Sequence, residues 1–384
     1  MFIGMSGKDI RVTATATLRI MEVVQSLEKG GRTVRFHDTV NALCQSGHQV
    51  VAVCFGPFDK PTDAEHNIAL PQISGKKFGL IWQLAKLIKK HNIQLVHAHC
   101  ESSQLYAGLA AKLCRIPAVG TFHRSRLECY NPSVSNRFIR FALSHFVAVS
   151  KDRMRLLTNN MGLRGSDCSV VYGGTSLLSV PARTKQQARA ELGLEADSKI
   201  LLSIGHLGAI KGHQDTLQAL ALLDDAGVQL FIAGTGTEAE KNTLVDLAQS
   251  LQLQHQVRFL GQISDPALWL DACDIFVQPS HEEAFGLVFI EAGARRRPVI
   301  ATHVGGIKEI IMHSLTGFLV APACAQQLAE SMQKLLNDAD SCQSMGNAGF
   351  DRVQQTFSVE AMTTQYLKIF QKLMLKEGSY HDAS

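Results

Sequence analysis

At 384 residues and 46% hydrophobic content the chain can bury a large core in each of two domains, and neither a signal peptide nor an apolar run of bilayer-spanning length is legible. Nine cysteines, an odd number without C-x-x-C pairs or Cys/His zinc spacing, argue for reduced thiols in a cytosolic protein rather than a disulfide framework. The net charge of +4 hides a split: residues 1–180 hold 22 Lys+Arg against 11 Asp+Glu, and residues 181–384 hold 16 against 23, so the first half is suited to an anionic partner.

The first seventeen residues lack periodicity and read as a leader. Arg19 to Leu27 reads as the first strand and ends at Glu28-Lys29-Gly30-Gly31; a helix follows from near Thr33 to Gly47. The glycine pair is a candidate ligand loop, but it is not the G-x-G-x-x-G of a dinucleotide site. His48 to Val53 is the second strand. Lys76 to Lys90 has helical spacing at Phe78, Ile81, Leu84, Ala85 and Ile88, with lysines alongside. Leu95 to His99 and Pro117 to His123 are further strands around a helix through Ala107 to Cys114. They leave His99 and His123 at strand ends, where doubly wound sheets bind ligands. Arg137 to Phe146 reads as an amphipathic helix, suited either to anionic lipid headgroups or to the core. The strands of the first half close with His145–Ser150 and Ser169–Tyr172.

The second half repeats the rhythm. Strands are readable at Lys199–Ile204, Val228–Ala233, Val257–Leu260, Ile275–Val277 and Pro298–Ala301. Helices such as His213–Ala226 and Thr237–Leu251 lie between them. Such alternation means parallel sheets covered by helices on both faces, hence an α/β protein of two doubly wound domains with a cleft between. The linker falls at Ser176–Gln186, and residues 358–377 form an amphipathic helix that must dock elsewhere. The loop Gly205-His206-Leu207-Gly208-Ala209-Ile210-Lys211-Gly212 follows the first strand of this half, where a lysine can reach a phosphate; its spacing is not that of a nucleoside triphosphatase.

The stretch His281 to Ala292 carries the strongest signal. It places Glu283 in a loop and Glu291 in the helix that follows. Gly286 lets the backbone approach a ligand, and the free N–H groups of the first turn favour an anion. Eight residues of helix would separate the two carboxylates by about 12 Å, wider than the paired carboxylates of glycosidases. They read as clamps on the two ends of one elongated ligand, or simply as a solvated helix start.

These motifs in this order resemble the large retaining glycosyltransferase family 4, which has the GT-B architecture of two Rossmann-like domains. The resemblance runs from about Arg19 to the C-terminus and is densest from Lys199 to Pro322. It rests on the E-x7-E pair Glu283 and Glu291, on Gly205-His206-Leu207 with Lys211-Gly212, on Phe259-Leu260-Gly261, and on Pro298–Thr302 with Gly305-Gly306 and Glu309. It implies an acceptor-binding domain over 1–180, a nucleotide-sugar-binding domain over 181–357, and a C-terminal helix within 358–384 that packs back across the domains.

The resemblance also implies roles. Lys211 binds the donor diphosphate, and Glu283 contacts the transferred sugar. The backbone of Phe285, Gly286 and Leu287 holds sugar and phosphate, with Leu260 also in the donor site. Glu291 accepts from the ribose hydroxyls, His123 lies near the reacting sugar, and Gly31 lies near the phosphates. It implies no metal and no cofactor beyond the donor, use of a uridine diphosphate sugar, and no nucleic-acid partner. The acceptor expected is a glycolipid or polysaccharide such as a lipopolysaccharide core, met at an anionic membrane surface on the cytoplasmic side. Two departures stand out: His206 occupies the family's usual arginine position, and Gly173-Gly174 replaces an Asn-Gly. A neutral histidine offers one donor and no charge where arginine offers five donors and a charge, so a catalytically degenerate nucleotide-sugar-binding or partner-binding protein is the alternative reading.

Overall fold

Short aliphatic and β-branched runs, each stopped by a glycine, proline or polar residue, become strands; the longer segments with a 3.6-residue repeat become helices. The computed structural model describes residues 17–27, 30–70, 79–124, 126–223 and 225–381, with side chains described through residue 376. Residues 1–16 of the leader, Glu28-Lys29 and Lys76-Lys77-Phe78 lie outside the described residues.

The first half runs β1 (Arg19–Val24), α1 (Gly31–Gln45), β2 (Gln49–Cys54), β3 (His66–Ala69), α2 (Gly79–Lys90), β4 (Leu95–Ala98) and α3 (Glu101–Leu113). It continues with β5 (Ala118–Phe122), α4 (Val134–Ala142), β6 (His145–Ala148), α5 (Lys151–Asn159) and β7 (Cys168–Val170). The second half runs α6 (Lys185–Glu191), β8 (Lys199–Ile204), α7 (His213–Leu223), β9 (Val228–Ala233), α8 (Glu238–Ser250), β10 (Val257–Gly261) and α9 (Pro266–Ala272). Then come β11 (Ile275–Gln278), α10 (Leu287–Ala294), β12 (Val299–Thr302), α11 (Ile307–Ile310), β13 (Gly317–Val320), α12 (Ala325–Asn337), α13 (Ala339–Thr356) and α14 (Val359–His381).

The strands form two parallel sheets, ordered β3-β2-β1-β4-β5-β6-β7 and β10-β9-β8-β11-β12-β13. In each sheet the order reverses beside its first strand, between β1 and β4 and between β8 and β11. The crevice beyond the carboxyl ends at such a reversal is where ligands bind in open α/β sheets. Each sheet is covered on both faces by buried apolar clusters.

Three expectations are corrected. The first strand stops at Val24 rather than Leu27; the next residue, Gln25, turns its N–H to the Cys100 thiol. The amphipathic helix of Arg137–Phe146 is instead Val134–Ala142. It starts where the Ser133 side chain accepts from the Asn136 N–H, and it ends because Phe146 and Val147 are drawn into the sheet as β6. The segment Ser176–Gln186 is not wholly linker: Thr184 and Gln187 form a capping box that opens α6 at Lys185.

The chain returns to its first half at the end. Gly174 lies so close to the backbone of Ser358 and Val359 that a Cβ there would sit 2.6 Å from the Ser358 carbonyl oxygen. From that crossing α14 lays Met362, Tyr366, Ile369, Phe370 and Leu373 onto the face of the first sheet that α1 also covers. Each such buried side chain contributes about 1.5–3 kcal/mol. Nine free cysteines are distributed through both halves, and among the described residues no helix is long and apolar enough to cross a membrane.

Candidate functional site

The C-terminal bank of the cleft grows from the ends of β8 and β11. Beyond β8 the loop Gly205–Gly212 is held by side chains of the strands themselves. Ser203 in β8 donates to the Gln278 amide oxygen (3.0 Å) and meets the His213 Nδ1 (3.1 Å), the Gln278 amide donates to the Lys211 carbonyl, and the His213 Nε2 faces the His206 carbonyl at 3.1 Å. Burial pushes the His213 imidazolium down to about 4, so the ring serves as a neutral brace. Gly212 turns the chain at φ +70°, and a Cβ there would lie 2.0 Å from the Pro279 carbonyl oxygen. Only glycine makes that turn without moving the strand end.

This turn delivers Lys211 to Glu283, with which it forms an ion pair. The Glu283 backbone is gripped from the other half of the molecule: an Arg153 Nη2 donates to its carbonyl (3.2 Å), and Ser150 Oγ donates to the Ala284 carbonyl (2.8 Å). Gly286, at φ +99°, caps α10, and Phe285 is buried in a stack on Tyr172 with ring centres 5.7 Å apart. The Tyr172 hydroxyl donates to Glu309, whose carboxylate also accepts the Lys151 and Asp152 N–H groups at the start of α5, at 2.8 and 3.0 Å. Glu291 lies one turn into α10. Burial pushes its carboxyl up to about 7, and the Asp38 carboxylate of α1 pushes the same way.

Gly31 opens α1 on the opposite bank, and a Cβ there would meet Leu287 Cδ1 at 3.3 Å. The N-termini of α1 and α10 therefore face one another across the cleft, and their N–H groups and dipoles both favour an anion between them. Gly173 serves the same approach, since a Cβ at this position would come 2.6 Å from Leu287 and 3.0 Å from Phe285. That close packing is a physical reason for glycine where the resemblance leads one to expect asparagine.

His123 follows β5 and is partly exposed. Its Nε2 is 3.4 Å from the His99 Nδ1, and burial, with Arg35 nearby, drives the imidazolium well below its ordinary range. Two of the sequence-derived residues stand apart from this meeting point. Leu260 packs at the end of β10, on the edge of the second sheet. His206 is turned along its own loop: its Nδ1 accepts from the Gly208 N–H at 2.9 Å, and its Nε2 is 3.9 Å from Glu240.

Sequence reasoning passed over Glu22, His97, Ser150, Arg153 and Tyr366. Glu22 did leave a signal, being a lone carboxylate inside the apolar run of β1. It is fully buried, and its carboxyl oxygens lie 3.0 and 2.6 Å from the His97 Nδ1 and the His99 Nε2. The ligating atoms of these three residues lie within 4.8 Å of one another, and the separations are those of hydrogen bonds.

A family model of group 1 glycosyl transferases matches residues 184–352, and a model of glycosyltransferase family 4 matches residues 29–177. The chain is 28% identical over 359 residues to the N-acetyl-alpha-D-glucosaminyl L-malate synthase of Bacillus anthracis, covering 89% of this chain and 93% of that one. It is 28% identical over 361 residues to a D-inositol 3-phosphate glycosyltransferase of Corynebacterium aurimucosum, covering 85% and 82%. The fold matches Anabaena Alr3699/HepE, solved in complex with UDP and glucose, at a TM-score of 0.80 and 21% identity over 92% of this chain and 100% of that one. With two parallel sheets meeting at their switch points, and with both halves matched by adjoining family models, the chain belongs to the family 4 glycosyltransferases of GT-B fold.

Proposed function

We infer that the chain transfers a hexose-type sugar, with retention and without a metal, from a uridine diphosphate sugar to an anionic acceptor carried on a lipid or polysaccharide, such as a lipopolysaccharide core. The observation that carries the reading is the Lys211–Glu283 pair beside the facing N-termini of α1 and α10. As the glycosidic bond breaks, negative charge grows on the departing diphosphate and positive character grows at the sugar carbon. The Lys211 ammonium and the N–H groups of the Phe285–Leu287 segment suit the first, and the Glu283 carboxylate suits the sugar. On this reading Glu291, one turn into α10, takes the ribose, and His123 of the other bank takes the sugar. The test is a screen of nucleotide sugars with released nucleotide measured. One donor, a uridine diphosphate sugar, is expected to turn over, equally in excess EDTA. Silence across all donors would favour the binding-protein alternative.

The acceptor side of the reading rests on α4. Its Ile139 and Ala142 enter the core, while Val134, Phe138 and Phe141, spaced along one face, stay 71%, 53% and 59% exposed. Arg137 and Arg140 are exposed beside them, and the Lys112 ammonium lies 3.9 Å from the Phe141 ring centre. Aromatic side chains fringed by cations fit the headgroup layer of an anionic membrane. Binding to anionic vesicles is expected at low salt, weakening as salt rises and weakening further in Arg137→Ala/Arg140→Ala; absence of binding at low salt removes the membrane from the reading. A small soluble acceptor is the second reading. It is favoured by the names of the two relatives, which specify malate and inositol 3-phosphate, both anions.

A further inference from the structure

Glu22, His97, His99, Thr121 and His123 fall at alternate positions of β1, β4 and β5 and just beyond them, in step with Ile20, Leu95 and Val119 of the core cluster under α1 and α14. They form one continuous polar row. Arg35 of α1 donates through Nη2 to the Tyr366 hydroxyl of α14 at 2.8 Å, and Tyr366 meets Thr121 Oγ1 at 3.0 Å. Thr121 Oγ1 is 2.7 Å from the His97 Nε2, and the His97 Nδ1 is 3.0 Å from the Glu22 carboxylate. On the far side of Glu22, the His99 Nε2 is 2.6 Å away, and the His99 Nδ1 leads on to the His123 Nε2. The rings of His99 and His123 have centres 5.7 Å apart against 3.4 Å between those nitrogens, so they meet edge to edge.

Burial raises the Glu22 carboxyl, and the polarity of the row follows from whether that carboxyl is ionised. A guanidinium only donates and a carboxylate only accepts. With Glu22 ionised, and so accepting from both neighbours, His97 carries its proton on Nδ1 and takes one from Thr121 at Nε2; Thr121 takes one from Tyr366, and Tyr366 takes one from Arg35. The other arm follows in the same way. His99 carries its proton on Nε2, its Nδ1 is bare, and His123 must supply the proton between them. Burial keeps the imidazoliums of His97 and His99 down at about 3 and about 4, so each ring has a single proton to place.

We propose that Glu22 and His99 are positioning residues that hold His123 as the Nε2–H tautomer, so that its Nδ1 lone pair is offered to the cleft as an acceptor for a sugar hydroxyl. Among the described residues the His123 Nδ1 has no protein partner. The site therefore selects a donor with a hydroxyl facing this nitrogen, and a donor lacking that hydroxyl is handled more slowly. This inference rests on His123 facing the transferred sugar; the tautomer itself does not, and the two can be tested apart.

The experiment is 15N NMR of the full chain labelled at histidine, with the His123 signals assigned by their loss in His123→Asn. The wild type is expected to show His123 protonated at Nε2 and bare at Nδ1; protonation at Nδ1 overturns the proposal. Glu22→Gln, which offers one donor and one acceptor in place of two acceptors, is expected to give a tautomer mixture at His123 and to lower donor turnover about tenfold, the worth of one hydrogen bond. It should also shrink the penalty for the monodeoxy donor that the wild type handles worst. Tyr366→Phe lies beyond Glu22 and is expected to leave the His123 tautomer unchanged, although it too disturbs the core. An unchanged tautomer in folded Glu22→Gln overturns the positioning role. A changed tautomer with unchanged turnover and unchanged deoxy-donor penalties keeps the positioning but removes the sugar-facing reading. If Glu22→Gln does not fold, the wild-type tautomer remains the deciding result.

Discussion

The two banks of the cleft are held by different means. On the C-terminal bank the loops after β8 and β11 are shaped by backbone: a left-handed glycine at 212, another at 286, and strand-end side chains gripping carbonyls. Lys211 projects from that frame and is partly exposed, while the Glu283 carboxylate it pairs with is nearly buried. On the N-terminal bank the polar groups are interior side chains of strands, joined from Arg35 to His123 under two helices. Removing a projecting group takes away chemistry and leaves the frame, whereas removing an interior group unpairs its neighbours as well.

That contrast predicts opposite signatures for two substitutions. Lys211→Ala is expected to lower nucleotide release by about a hundredfold to a thousandfold, the range for losing one preorganised donor at a developing anion. Its unfolding transition should stay closer to wild type than that of Glu22→Gln, because truncating the part-exposed Lys211 side chain lets water reach the Glu283 carboxylate. Glu22→Gln is expected to lose far less turnover but about 1–3 kcal/mol of stability, since a buried ring nitrogen loses its acceptor. Denaturant titration beside the turnover assay reads both. Near-normal turnover in Lys211→Ala would sink the assignment of this loop.

Glu291 lies where the banks meet, and its expected effect is intermediate. Its carboxyl, ordinarily near 4.5, is raised to about 7 by burial and by Asp38, itself raised to about 6. On the proposal that Glu291 binds the donor ribose, only its ionised form can accept from both hydroxyls, so the apparent donor KM should fall as pH rises through 7, by about tenfold per unit below the titration point. The stability sign is opposite. Between about pH 4.5 and 7 the folded protein holds a proton that the unfolded chain has released, so this group makes the fold less stable as pH rises through that window, with no further change above it. Glu291→Gln should flatten both dependences, and Asp38→Asn should shift the KM dependence to lower pH. A KM dependence that persists in Glu291→Gln would assign it to another group.

How much of this was legible in the sequence follows from the same contrast. The C-terminal bank was readable because glycines, a lysine and two glutamates sit at fixed spacing in the loops and first helical turns that follow clear strands, and such a site depends on local chain geometry. The pairing of Lys211 with Glu283 needs two loops 72 residues apart and so waited for the fold. On the N-terminal bank, His99 and His123 stood out at strand ends, but Glu22 and Tyr366 belong to one site only because β1, β4 and β5 are neighbours and α14 returns over them. Edge strand β3 escaped notice because His66-Asn67-Ile68-Ala69 is mostly exposed and has no apolar alternation. For α4, its apolar positions were visible, but which of them turn outward depends on how it packs against α3.

The smallest effect is expected at His206, and its sign separates two ideas about the loop. An imidazolium standing in for the usual arginine would lose its charge as pH rises through the imidazole range, so activity would fall. The observed geometry gives the ring a bracing role, because its Nδ1 accepts the Gly208 N–H at 2.9 Å. In that case His206 steadies the loop bearing Lys211, and the pH profile of donor use should rise with Glu291 rather than fall with His206. His206→Arg adds a cation to an exposed position but removes the brace on Gly208. The gain from such an exposed charge is at most about 1 kcal/mol, so turnover should change by less than about fivefold in either direction. His206→Gln, which keeps an acceptor without any titrating charge, should leave the profile unaltered. A falling limb in the wild type that is absent from His206→Gln would restore the imidazolium as the diphosphate's second cation.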